Sequence, residues 1–280
     1  MAIWTFIRLT LREASRSRLL LLVGVLTLAY LGLIAWGMSK LAQAVTSPVN
    51  AIVSGAGLEL MAFFLGSFML TLLAVFVSGH STHQDGDSGL LQAVLTKPVR
   101  RFDVLAGRWL ASALLLTVWV TVFTAGVVWG VGLEVGYYPP NPVAAAALLL
   151  LQALLVLSLR LLFGTVLGTL ASGILPLLLF GLGWMGGLVE MVGRAVHVPS
   201  MVTAGIATSL VIPTDAVWRG ASYFLLPQLA ALAALGDRNP AQGNPFVSLQ
   251  PIATPMVVWA VLYVLAMFLI AARVFARRDL

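Results

Sequence analysis

The sequence predicts an all-α, polytopic membrane protein. It has six transmembrane helices, an amphipathic helix ahead of them, and one polar loop between the second and third spans. Three observations predict this class. Of the 280 residues, 60% are hydrophobic and only 9% are charged, whereas a soluble domain carries about 25% charged residues. The mean hydropathy is +1.02, so the chain lacks the polar surface that water demands. The apolar residues also gather into runs close to the roughly 20 residues that cross a hydrocarbon core.

The first element is a helix over residues 1–18. Arg8, Arg12 and Arg16 recur every four residues and share one face, and Trp4, Ile7, Leu11 and Ala14 make an apolar stripe beside it. Such a helix lies in the interface, with arginines toward lipid phosphates and the aromatic ring at headgroup depth. A plain positively charged anchor is the other reading. Spans are expected at residues 19–38, 58–78, 109–133, 143–163, 173–192 and 255–275, in a single transmembrane domain. An apolar continuation to Leu170 would make the fourth and fifth spans a tight hairpin.

A basic start, an apolar run and Ala42-x-Ala44 imitate a secretory signal. The run from Leu19 to Trp36 is longer than the roughly 7–15 residues of a signal core, so it reads as the first span. Residues 193–254 hold two short apolar stretches, 201–212 and 221–235, interrupted by Pro213, Asp215, Arg219 and Pro227. At these lengths they suit short interfacial or re-entrant helices.

The basic residues orient the bundle. With the N-terminus inside, 12 of the 16 Lys and Arg are cytoplasmic, and only Lys40, Arg194, Arg219 and Arg238 fall outside. This positive-inside bias places both termini and the 79–108 loop in the cytoplasm and residues 193–254 outside. It accounts for the net charge of +6 as topology, without nucleic acid.

Few residues offer chemistry. The absence of cysteine excludes disulfides, thiolate metal sites and thiol catalysis. His80, His83, Asp85 and Asp87 resemble a metal cluster, but their spacing fits no standard zinc pattern and a juxtamembrane loop is polar in any case. Glu59, Glu134 and Glu190 stand at the outer ends of spans, where a solvated boundary is the expected reading. Arg160 is expected to snorkel to the inner headgroups, with pairing inside the bundle as the alternative. Gly126-x-x-x-Gly130, Gly164-x-x-x-Gly168 and Gly183-x-x-x-Gly187 allow close helix packing. On the fifth helix, Gly183, Gly187 and Glu190 mark either packing or a substrate path.

The loop of residues 79–108 is the most informative stretch. Ser88 opens a short amphipathic helix whose apolar side is Leu90, Leu91, Val94 and Leu95. Thr96-Lys97-Pro98 ends it, because proline disfavours helical geometry at the preceding residue. A second helix starts near Arg101 and runs into the third span. An apolar patch on such a projection fits a hydrophobic groove on a partner.

These residues resemble the permease subunits of the ABC type-2 exporter family, of the single-chain six-span kind. The resemblance rests on Asp85, Asp87, Gly89 and Leu91, then Leu95-Thr96-Lys97-Pro98-Val99-Arg100-Arg101, then Leu105-Ala106-Gly107-Arg108-Trp109. The family usually has Glu at the acidic positions and Thr after the glycine, where this chain has Leu90. The basic N-terminal helix, the tail from Phe275 to Leu280 and the segment from Pro213 to Arg219 resemble the family as well.

The resemblance implies an exporter half. The loop would be a cytoplasmic coupling helix gripped by a separate ATPase, present in two copies, and a second permease chain would complete the pathway within the lipid. The expected location is the plasma (inner) membrane of a bacterium. No G-x-x-x-x-G-K-[ST] phosphate loop occurs, and the only lysines are Lys40 and Lys97. The chain is therefore expected not to be an enzyme and to bind no cofactor, with ATP and Mg held by the partner. A membrane docking or assembly protein and a secondary transporter are the alternatives.

Overall fold

The computed structural model describes residues 2–16, 18–44, 47–77, 101–226, 248 and 250–277. Among them are nine helices: α1 (Ala2–Arg16), α2 (Arg18–Ala44), α3 (Pro48–Val77), α4 (Arg101–Val135), α5 (Pro142–Val166), α6 (Thr169–Ala195), α7 (Pro199–Val211), α8 (Thr214–Leu225) and α9 (Thr254–Ala276). Six of them, α2 to α6 and α9, are long and apolar enough to cross a membrane. The described residues contain no strand, so the protein is an all-α, multi-pass membrane protein.

Each helix has a local cause. Asn141 caps α5 by accepting the Ala144 N–H at 3.1 Å, and Pro142 follows in the first turn, where its missing N–H costs nothing. The α5–α6 turn is only Leu167 and Gly168, so α5 ends at Val166 and does not run on to Leu170. Helix α6 begins at Thr169 rather than near 173, and the Ser172 hydroxyl donates back to the carbonyls of Gly168 and Thr169. Helix α3 begins at Pro48 rather than near 58, because Gly55 is used for packing and not as a breaker. A Cβ there would stand 3.2 Å from Val135 of α4.

Helix α5 is the centre of the bundle. Ala153, Leu155, Val156 and Leu157 are fully enclosed, with α3, α4, α6, α8 and α9 packed around them. Two aromatic groups knit the other helices together. Trp119 stacks on Phe123 in α4, which meets Phe63 of α3 edge-on. Phe64 and Phe68 of α3 pack on Phe180 and Trp184 of α6, and Phe64 also touches Trp218 of α8. By contrast, α2 turns Leu21, Leu22, Val25 and Leu28 outward, as suits a helix facing hydrocarbon.

The bundle has two distinct ends. The basic end carries α1, the start of α4 and the end of α9. The hairpin end carries α7 and α8, which are bent by 95° at Ile212–Pro213. These helices have 13 and 12 residues, roughly 20 and 18 Å long, and neither alone crosses a core of about 30 Å. Two short helices are present, but α8 spans Thr214–Leu225 rather than 221–235, so Asp215 and Arg219 lie inside a helix instead of interrupting one.

Candidate functional site

The densest polar constellation lies at the hairpin end. Glu190, on the last turns of α6, is buried and bridges two arginines. Its Oε1 accepts from Arg194 Nη2 at 2.6 Å and its Oε2 from Arg219 Nη2 at 2.8 Å. Arg219 Nε in turn stands 2.9 Å from Asp215 Oδ2, one helical turn back on α8. Two carboxylates and two guanidiniums thus form one neutral chain linking α6 to α8. The members are not equal. Arg194 is 62% exposed, so its bond is weakened by water. The Arg219 bonds lie deeper, where an unpaired charge would be costly.

Glycine makes this cluster possible. A Cβ at Gly187 would collide with the Asp215 carboxylate, and one at Gly183 would stand 2.7 Å from the Thr214 hydroxyl. Gly205 of α7 gives similar room to Glu190 itself. Of the two readings for Gly183 and Gly187, packing of the hairpin on α6 is what the geometry favours. The other small-residue pairs behave differently. Gly126 receives Leu31 of α2, whereas Gly130 and Gly168 face open space.

The solvated-boundary expectation holds for Glu134, which is exposed, and fails for Glu190 and Glu59. Glu59 is 0% exposed, and neither carboxylate oxygen has a hydrogen-bond partner among the described residues. The side chain is enclosed because neighbouring helices pack over its turn of α3. Close by, in the α4–α5 connection, the buried Tyr137 hydroxyl donates to the Leu225 carbonyl. Burial raises the Tyr137 pKa above its ordinary value, and the Glu59 charge adds to this, so the phenol stays a donor.

The basic end gathers the expected surface elements. Helix α1 packs along α4, with Trp4 67% exposed and Arg8 and Arg12 also turned outward. Arg16 ends the helix. Helix α4 is described from Arg101 onward, and the Arg101 guanidinium donates to the Phe275 carbonyl of α9 at 3.4 Å. Above this contact Leu105, Leu161, Ala271 and Phe275 form a closed apolar patch, and Trp109 Nε1 donates to Ser158 Oγ at 3.1 Å. Arg160 is enclosed, at 3% exposure, and its guanidinium reaches toward the basic end, where Nη1 stands beside Gly164. The loop residues Asp85, Asp87, Gly89, Leu91, Val94, Leu95, Thr96, Lys97, Pro98 and Arg100, with His80 and His83, lie outside the described residues.

Asp215 and Arg219 were not singled out as site residues by the sequence reading. Their spacing of four on a helix opened by Pro213 was the available signal. Among the described residues no three His, Cys, Asp or Glu side chains converge as metal ligands.

Six long apolar helices with α5 at their centre, and a basic amphipathic helix against the third span, define a multi-pass membrane protein. The family model described as ABC-2 type transporter matches residues 1–192. The chain belongs to the ABC-2 type transporter family. Comparison with curated proteins gives no match.

Proposed function

We propose that the chain is the membrane-spanning half of an ATP-driven exporter, gripped at residues 79–108 by a separate cytoplasmic ATPase. The observation that supports this most directly is the continuity of α4. It begins at Arg101, at the end of the loop, and runs 35 residues without a break, about 52 Å. That exceeds a core of about 30 Å, so its first turns project beyond the hydrocarbon. Those turns hold α1 on one side and the end of α9 on the other. A push on the loop therefore moves α1, α4 and α9 together, at the end of the molecule opposite the α7–α8 hairpin.

In this reading the basic end is cytoplasmic, in a bacterial inner membrane, and a second permease chain completes the pathway. Two ATPase copies close on ATP and Mg and drive the loops. Replacement of Leu91, Val94 and Leu95 by Glu is expected to abolish co-purification with the ATPase and ATP-dependent efflux, while the chain still inserts. Retained association would overturn the dock. Association with no efflux would favour an assembly protein. Single cysteines at Ser88 and Gln242 are expected to label from opposite sides of the membrane.

A further inference from the structure

Arg160 is the charge that the motor-coupled reading leaves without a role. It sits on α5, six residues before the helix ends at Val166, about 9 Å in from the basic end. The guanidinium is permanently charged. It is 97% enclosed, since only 3% of the residue is exposed. Among the described residues its Nε has no hydrogen-bond partner. No carboxylate among them meets this cation, and an enclosed guanidinium left unpaired is costly.

Its direction follows from the helical period. At about 100° per residue, Arg160 points roughly 200° round α5 from Ser158, which faces Trp109 of α4. It lies about 80° from Gln152, whose Nε2 is 3.5 Å from Thr71 Oγ1 of α3. Arg160 therefore points away from α4, on the side of α5 next to the face turned to α3. The side chain also runs against the usual tilt toward the helix N-terminus. Its Nη1 lies 3.0 Å from where a Cβ on Gly164 would stand, one turn nearer the basic end. Four residues on, Gly168 caps α6 with no side-chain bond, which leaves the positive end of that helix at the same corner.

We propose that Arg160 is the fixed cation of a binding site for a phosphate group carried by a membrane amphiphile, entering from the basic end on the side of α5 away from α4. The guanidinium fork matches phosphate oxygens. The amphiphile is either a resident phospholipid or a cargo that bears the phosphate. The site stands independently of motor docking, because its binding is read on the permease alone.

The test uses the full chain, delipidated in a neutral detergent, with unfolding followed by its eight tryptophans. Dodecyl phosphate is expected to raise the melting temperature of the wild type. Arg160→Gln should lose that response, and Arg160→Lys should keep it with roughly tenfold weaker binding. Native mass spectrometry separates the sources. Phospholipid retained by the wild type and lost in Arg160→Gln identifies a resident lipid, whereas a response to dodecyl phosphate without retained phospholipid identifies a cargo group. Should Arg160→Gln fail to fold, the weakened response of Arg160→Lys carries the result. An equal response in the wild type and both variants, or no response to dodecyl phosphate in the wild type, overturns the site.

Discussion

Two sets of ionisable side chains in this bundle are buried in opposite ways. At the hairpin end, Glu190, Asp215, Arg194 and Arg219 meet within one network that sums to zero. Elsewhere, Glu59 on α3 and Arg160 on α5 are more fully enclosed, and neither forms an ion pair among the described residues. Paired charges replace lost hydration with one another, and so fasten helices together. Solitary ones are kept at a cost that packing of the rest of the bundle must offset. The contrast separates residues that hold the fold from residues that the fold holds ready.

That contrast can be broken by mutation. The largest effect is expected from Glu190→Ala, which strips Arg219 of one of its two acids and should destabilise the protein by about 3 kcal/mol. Denaturant unfolding in detergent would measure it, and a loss below about 1 kcal/mol would mean water already screens the network. Gly187→Ala comes next, at about 2 kcal/mol, because its methyl group displaces Asp215 without removing any charge. Its effect should shrink in an Asp215→Ala background, and simple additivity would show that the contact is not shared. The smallest change is expected from Glu59→Gln. With no cation beside the carboxylate, its stability should stay within about 1 kcal/mol of wild type or rise. A loss as large as that of Glu190→Ala would reveal a partner for Glu59.

The spans were legible because a core-crossing helix must be apolar along its whole length, a property of the sequence alone. Their ends were less so. The second span was expected from 58, yet its helix starts at Pro48, and Gly55 within it seats Val135 of α4. Of the hairpin, the first short helix was legible near its place, but the second starts at Thr214 and not at 221, because Asp215 and Arg219 are paired inside it. Its cluster was only half visible. The Asp215–Arg219 spacing is local, but Glu190 lies 29 residues from Arg219 and joins it only when α8 folds against α6. The burial of Glu59 and Arg160 was hidden for a similar reason. A position near a helix end predicts solvent unless another helix covers that face, and such covering is tertiary.

The salt-bridge spacing at the hairpin end also bears on how the chain is made. Glu190 and Arg194 are one turn apart, and so are Asp215 and Arg219. If this end is the one delivered across the bilayer during synthesis, each of these arginines travels with an acid on its own helix. The insertion machinery would then pass two internally neutralised turns instead of two bare cations. Arg194 and Arg219 are half of the four basic residues that depart from the positive-inside bias.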